Sequence, residues 1–508
     1  LFQTGIALSN IKKLAGQTLW YGVSSIGARF IGYLLTPLLT YSPNVSVADF
    51  GKQGLIYAVI PVLNALFTYG FETAYFRFAS KDEYKSSIYN TTFISLLCST
   101  ALFSFLLWQN QAFLAQLTGL TNIPEIIQLS IFIVALDTLN VIPFARLRQQ
   151  DRPVKFAFVR VTSILINVVL VWFFVNYCHN VLTKNPQHPL RLIYDVNKNP
   201  VVYVVLANLI QSLFTLVLLS KEILEVRLKF NVQLWKAMMV YSLPLVIVGL
   251  GGIINETFDR LMLRAWLSGS ALFKDEQVGI YNACYKLSIL ITLFIQAFKM
   301  GAEPFFFKQA EGLNPQRTYA RVMKFFVIIL SFMFLVVTLY LPIWQFMVGK
   351  QYRGGLSIVP ILLLANIFLG IYYNLSIWYK LGNKTIAGTY ITLIGSGITL
   401  LVNYLFIPRF GYMASAWATF LCYGAMMVIS YMWGQKEYPI PYAWKKLVAY
   451  LVIVILLYFI HKGAIWAWSN LYFSLGFGTI LLFIYARFLL LVEKKEFQKL
   501  PVVGKFIK

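Results

Sequence analysis

Apolar runs of about 20 residues recur along this chain, parted by short polar stretches, and each is long enough to cross a hydrocarbon core of about 30 Å. About fourteen such runs are read, at 16–41, 53–79, 88–108, 124–146, 156–178, 200–220, 238–267, 278–303, 322–347, 356–379, 385–407, 411–434, 445–462 and 466–487. Their length and lack of strict alternation argue for helices rather than the strands of a barrel. The pattern predicts an all-α polytopic membrane protein. Composition agrees, since 59% of the 508 residues are hydrophobic and 12% charged, against about 25% charged in soluble domains. The first apolar run is followed by many more, so it is expected to stay as a helix rather than act as a cleaved signal.

The net charge of +24 is explained by topology rather than by a nucleic-acid partner. With the N-terminus in the cytoplasm, "KDEYK", "RLRQQDRPVK", "KEILEVRLKFNVQLWK", "KQAEGLNPQR", "KLGNK", "GQKEYPIPYAWKK" and the "EKKEFQKLPVVGKFIK" tail share one side. Roughly 26 Lys and Arg then fall in cytoplasmic segments and about 9 outside, the bias expected of an inner-membrane protein. An even number of spans keeps both termini cytoplasmic. Four cysteines and three histidines are scattered without metal spacing, so no metal site is expected.

A shift of about 231 positions lays Arg29 on Arg260, Glu72 on Glu303 and Arg77 on Lys308, with Gly70 over Gly301. Six spans separate the copies, which gives both the same orientation. The expected organisation is two pseudo-symmetric six-helix lobes, 1–221 and 222–436, followed by two additional helices and a basic tail in 437–508, with a cargo site between the lobes.

Charges inside the spans are the most informative positions. Arg29, Arg77, Arg160, Arg260, Arg264, Lys286, Lys299 and Lys324 stand against Glu72, Asp137, Glu256, Asp259 and Glu303. Each would cost about 2.5–3.5 kcal/mol facing lipid at mid-membrane, so most must face protein, a partner charge or water. In "GIINETFDRLMLRAWL", Glu256, Arg260 and Arg264 follow one another by single helical turns with Asp259 beside them. The four either neutralise one another and fix helix packing, or join Arg29 and Lys286 in lining a wet cavity. An excess of cation there would favour an anionic cargo, since the guanidinium fork matches phosphate oxygens. Asp137 reads either as the partner of Arg29 or Arg160 or as a proton or sodium site. Lys299 and Glu303 lie one turn apart and either pair or gate the cytoplasmic mouth; Glu72 and Arg160 are further candidates for coupling or gating.

"NIKKLAGQTLWYGVSSIGARFIGYLLTPLLT", "FDRLMLRAWL", "VGIYNACYKLSILITLFIQAFKMGAEPFFF" and "IPRFGYMASAWATFLCYGAMMVISYMWGQKEYPIPY" resemble bacterial polysaccharide-unit (Wzx-like) flippases of the multidrug/oligosaccharidyl-lipid/polysaccharide exporter superfamily. The resemblance spans nearly the whole chain. It implies fourteen helices, alternating access and an undecaprenyl-pyrophosphate-linked glycan as cargo, with membrane lipids, a polysaccharide polymerase and assembly proteins as partners. It also implies that Arg29 and the Asp259–Arg260 pair stand at lumen positions; Arg264 and Lys286 rest on their spacing here.

No Gly-Lys phosphate loop for ATP is visible, so the expected drive is an ion gradient (Na⁺ or H⁺), the membrane potential or product removal, without a cofactor. A lipid II flippase would use the same cations for the same pyrophosphate. A drug/cation antiporter would want an acidic cavity instead. A membrane-embedded glycosyltransferase would usually carry a large outer loop, and the longest here, near 178–200, is only about 20 residues. The expectation is a transporter, not an enzyme.

Overall fold

The computed structural model describes residues 26–79, 81–310, 314–382 and 384–498. Among them, 13 helices are long and apolar enough to cross a membrane, and a shorter one, Ile26–Thr40, covers the described part of the first predicted span. In chain order these are α1 (Ile26–Thr40), α2 (Val47–Thr68), α3 (Ile88–Gln109), α4 (Pro124–Gln149), α5 (Pro153–Lys184), α6 (Pro200–Leu218) and α7 (Val232–Trp266). There follow α8 (Ala271–Gln309), α9 (Pro315–Leu339), α10 (Lys350–Leu381), α11 (Thr385–Phe410), α12 (Tyr412–Glu437), α13 (Trp444–Ala467) and α14 (Leu471–Val492). The chain is a multi-pass, all-helical membrane protein. Each predicted span has its helix.

Local chemistry sets the helix ends. Ser46 caps α2, accepting from the Asp49 amide at 3.1 Å while Asp49 accepts from the Ser46 amide at 3.3 Å, a reciprocal capping box. The span expected to run through 53–79 is broken at Tyr69 (φ 33°) and Gly70 (φ 73°), both left-handed. No helix continues through two such residues. Phe71–Ala79 therefore forms a separate short helix, with Glu72 in its first turn and Arg77 in its last, each sign matched to the helix dipole. By contrast α7 runs uninterrupted through Pro244.

Packing divides the chain into two compact units. The first holds Leu1–Lys286, Val348–Gly354 and Thr392–Cys422; the second holds Leu287–Met347, Gly355–Ile391 and Tyr423–Lys508. In the first, α4 is the hub, packed against α2, α3, α5 and α6, while α7 packs on α2. One apolar cluster gathers Leu39, Phe50, Phe174 and Tyr352; another gathers Phe71, Tyr75, Phe93, Ile142 and Met238. In the second unit α9 packs against α10, α13 and α14. Polar links tie α14 to it near both of its ends. The buried Glu493 carboxylate accepts from Lys324 Nζ at 2.7 Å, Tyr450 OH at 2.7 Å and Lys446 Nζ at 3.2 Å. Near the other end, Tyr340 and Thr479 share a 2.7 Å hydrogen bond.

One close helix contact within the first unit is made by backbone. A Cβ on Gly51 of α2 would lie 1.9 Å from the Asp275 carbonyl oxygen of α8, and one on Gly279 would lie 2.1 Å from the Val47 carbonyl oxygen. Between membrane helices, where hydrophobic drive is weak, small residues of this kind let backbones meet and gather dispersion energy. Gly51→Ala or Gly279→Ala is expected to destabilise the protein by about 1–3 kcal/mol, read as a lowered melting temperature in detergent. Gly249→Ala, where nothing lies within 4 Å of the new methyl, should leave it unchanged or raise it.

Candidate functional site

The charges that the sequence singles out separate into pairs that are used up and charges that face a cavity. Arg260, on α7, belongs to the first kind and is only 7% exposed. Its Nη1 donates to Asp259 Oδ1 at 2.9 Å and to the Glu256 carbonyl at 3.1 Å, and its Nε donates to Asn282 Oδ1 on α8 at 3.3 Å. Its guanidinium lies 4.5 Å from the Tyr285 ring centroid. Asp259 in turn accepts the Tyr281 hydroxyl and the Arg260 amide, the latter at 2.8 Å. The result is a clamp joining α7 to α8. Arg264, one turn further on, donates from Nε to Asp275 Oδ1 and packs over Gly119. Sequence could place Arg264 on the arc of Glu256 and Arg260, but not foresee that the start of α8 would bring a carboxylate against it.

The second kind gathers around one cavity. Arg29 of α1, Glu72 of the short helix, Asp137 of α4 and Arg160 of α5 line a space of about 470 Å³, together with Asn140, Ser163, Gln211 and Thr215. That volume falls within the range of ordinary ligand sites, about 300–1,000 Å³. Asp137 accepts from Ser212 Oγ at 2.7 Å and feels the Arg160 charge; Arg160 also lies within electrostatic reach of Glu72, Arg148 and Arg29. Arg160 sits with its guanidinium 4.8 Å from the Phe144 ring centroid, which leaves the cation at the wall rather than in lipid. Thr215 donates to Ser163 at 2.8 Å, and Asn140 Nδ2 to the Ser212 carbonyl at 3.2 Å, while Asn140 Oδ1, though buried, has no hydrogen-bond partner.

A further group continues from Arg29. Tyr33, one turn along α1, lies near both Arg29 and Glu256, and the Lys286 ammonium stands 5.7 Å from the Tyr33 ring centroid and within reach of Glu256. Glu256 is exposed. Two residues important to this site were not singled out from sequence. Arg148 reads as part of the basic loop "RLRQQDRPVK", yet α4 extends to Gln149 and turns Arg148 onto Glu72 as an ion pair. Tyr33 reads as one of 31 tyrosines, with no signal to distinguish it.

Lys299 belongs elsewhere, in the second unit, with its ammonium 4.6 Å from the Tyr373 ring centroid. The side chain of Glu303 lies outside the described residues. Among the described residues, no group of three or more His, Cys, Asp or Glu is arranged to hold a metal ion.

Known proteins share this architecture. The lipid II flippase MurJ, in an inward closed conformation, superposes with a TM-score of 0.70 at 13% identity, over 92% of this chain and 98% of that one. An inward-facing multidrug resistance MATE family transporter of the MOP superfamily gives 0.62 at 13% identity, over 85% and 95%. A variant of the Vibrio cholerae MATE transporter VcmN gives 0.56 at 14%, over 84% and 96%. Likeness at such identity concerns the fold alone. No curated protein matches this chain in sequence. The family model described as polysaccharide biosynthesis protein matches residues 14–309, more than half of the 508 residues, and takes in the cavity and the clamp. The chain belongs to the polysaccharide biosynthesis protein family.

Proposed function

We propose that this protein is a flippase that moves an undecaprenyl-pyrophosphate-linked oligosaccharide from the cytoplasmic to the outer leaflet by alternating access. The observation that carries the reading is the 470 Å³ cavity, walled by membrane helices and edged by Arg29 and Arg160, in a chain of this family. A pyrophosphate presents charged oxygens that a guanidinium fork can hold in bidentate fashion. The Asn140, Ser163, Gln211 and Thr215 side chains supply the neutral donors and acceptors that sugar hydroxyls use. The polyprenyl tail has no need to leave the bilayer. In this reading the lobes 1–221 and 222–436 alternate in opening, the pair of helices in 437–508 is an addition, and the protein sits in the bacterial inner membrane with both termini cytoplasmic. The positive bias of the cytoplasmic segments supports that orientation. A polymerase and assembly proteins would receive the glycan outside.

No covalent step is required. Asp137 suits the coupling of transport to H⁺ or Na⁺: it is a carboxylate at the cavity wall with one hydroxyl partner at 2.7 Å and a nearby arginine that competes for its charge. Glu72 is less suited, being ion-paired to Arg148.

Arg29→Ala and Arg160→Ala are expected to lower glycan export at least about tenfold, the loss of one charged hydrogen bond, with protein in the membrane at wild-type level. Arg260→Ala should instead lower the amount of folded protein, because it strands Asp259 as a buried charge at a cost of about 3–5 kcal/mol. Complementation of a strain lacking its polysaccharide-unit flippase, beside one lacking its lipid II flippase, reads the cargo. Wild-type export in both cavity variants, or rescue of the lipid II strain alone, would overturn the proposal. Asp137→Asn should leave flipping along a cargo gradient intact while abolishing its acceleration by an imposed H⁺ or Na⁺ gradient in vesicles.

A further inference from the structure

One short segment crosses the division into compact units. Val348–Gly354 is packed within the first unit, although the chain on either side of it, Leu287–Met347 and Gly355–Ile391, belongs to the second. By sequence the segment is part of the 222–436 lobe, yet it is seated on residues of the 1–221 lobe. Val348 and Tyr352 are fully buried and join the apolar cluster of Leu39, Phe50 and Phe174. The Tyr352 ring meets Phe50 edge-on with centroids 5.5 Å apart, and its hydroxyl donates to the Ser46 carbonyl at 3.5 Å. The Gly349 amide donates to Thr40 Oγ1 at 3.1 Å. A Cβ on Gly349 would lie 2.1 Å from the Thr40 carbonyl oxygen, so glycine is what lets the two backbones meet. Lys350 and Gln351 are exposed, while Arg353 Nη2 donates to the Tyr41 hydroxyl at 3.0 Å. The segment is a strap across the ends of α1 and α2.

The backbone of the strap is held by its own lobe. Cys284 Sγ of α8 donates to the Tyr352 carbonyl at 3.3 Å, and the Tyr412 hydroxyl of α12 donates to the Gly354 carbonyl at 3.4 Å. The two attachments differ in kind. Toward the 1–221 lobe the strap inserts side chains into an apolar seat; toward the 222–436 lobe it offers carbonyls. Inserted side chains can be withdrawn whole, and hydrogen bonds between neutral groups exchange for bonds to water at small net cost. With the N-terminus cytoplasmic, Thr40 and Ser46 mark the outer ends of α1 and α2. The Gly51–Gly279 contact joins the same two lobes beside them. If these lobes part on the outer side, Tyr352 must leave its seat.

We infer that Val348–Gly354 is an outer strap, seated while the outer side is shut and withdrawn with the 222–436 lobe when that side opens. The inference rests on the alternating-access reading above and adds to it the element that is released in every cycle.

Two experiments test it in the full chain. In a protein whose four cysteines are replaced by Ala, Thr40→Cys puts a thiol beneath the strap, at a position only 2% exposed. A membrane-impermeant maleimide added to spheroplasts should label it slowly. Gly349→Ala should raise that rate about tenfold at equal membrane level, because the added methyl group overpacks the seat. In the same background, Tyr41→Cys with Arg353→Cys can be joined by a bifunctional thiosulfonate that spans the two replaced side chains. That cross-link should abolish glycan export, dithiothreitol should restore it, and the single variants treated alike should export normally. Should Gly349→Ala fail to fold, the cross-link carries the test. Undiminished export with the cross-link complete overturns the strap and leaves the flippase reading standing. Absence of export in every protein, wild type included, counts against that reading instead, and labelling then decides the strap: equal rates with and without Gly349→Ala overturn it.

Discussion

A guanidinium within hydrocarbon depth must find its counter-charge in the protein, because the bilayer offers none and an unpaired arginine there costs several kcal/mol. Arg260 meets that constraint completely. Asp259 beside it, the Glu256 carbonyl one turn back, Asn282 across the helix interface and the Tyr285 ring together account for its charge and its face. Because Asn282, Tyr281 and Tyr285 all belong to α8, the same network fixes how α8 lies along α7. One and two turns toward the start of α8 from Asn282, that register allows the Gly51 and Gly279 backbones to meet and delivers Asp275 to Arg264. Moving α8 by one turn along α7 would break the ion pair, the hydrogen bonds and the glycine contact together.

Once those charges are spoken for, the remainder defines the chemistry. Arg29, Arg148, Arg160 and Lys286 are set against Glu72, Asp137 and Glu256, within electrostatic reach of one another through shared neighbours. The distinction between the two groups is geometric. Arg260 has donors directed at acceptors on two helices, whereas Arg160 sits over the Phe144 and Phe156 rings, 4.8 and 5.6 Å from their centroids, and lines the cavity. A stacked guanidinium keeps N–H groups available to a ligand; a clamped one does not.

This division marks the limit of what the sequence reveals. The spans are legible because hydropathy over twenty residues is a property of each segment by itself. Arg29, Asp137 and Arg160 are legible as exceptional for the same reason. The break at Tyr69–Gly70 is not, since one glycine in an apolar run is compatible with a continuous membrane helix, and only the left-handed pair shows that Glu72 starts a new one. Nor is the separation of Arg29 from Arg260, which a shift of the chain lays on one another. Whether an arginine is clamped or lines a cavity depends on the residues that a neighbouring helix presents at the same height. Asp275, in the polar "LFKDEQ" stretch, and Arg148, at the edge of a basic loop, were both hidden as members of surface segments.

The near balance of charge around the cavity bears on how a flippase for a pyrophosphate-linked cargo would turn over. At an effective dielectric of about 20, each unit charge of the cargo at 4 Å from a cation is worth about 4 kcal/mol. Two such contacts without opposition approach a millionfold in affinity, since about 1.4 kcal/mol is tenfold. A chamber of bare arginines would therefore hold its cargo long after the opposite side had opened. Glu72 and Asp137 lie on the same wall as Arg29 and Arg160 and compete with any phosphate for them. Carboxylates within reach convert binding into exchange: the phosphate takes an arginine from a protein partner, and the partner takes it back on release. On this view Glu72 and Asp137 share the task of release as the cations share that of capture, and Asp137 is the one through which an ion gradient would bias the direction of the exchange.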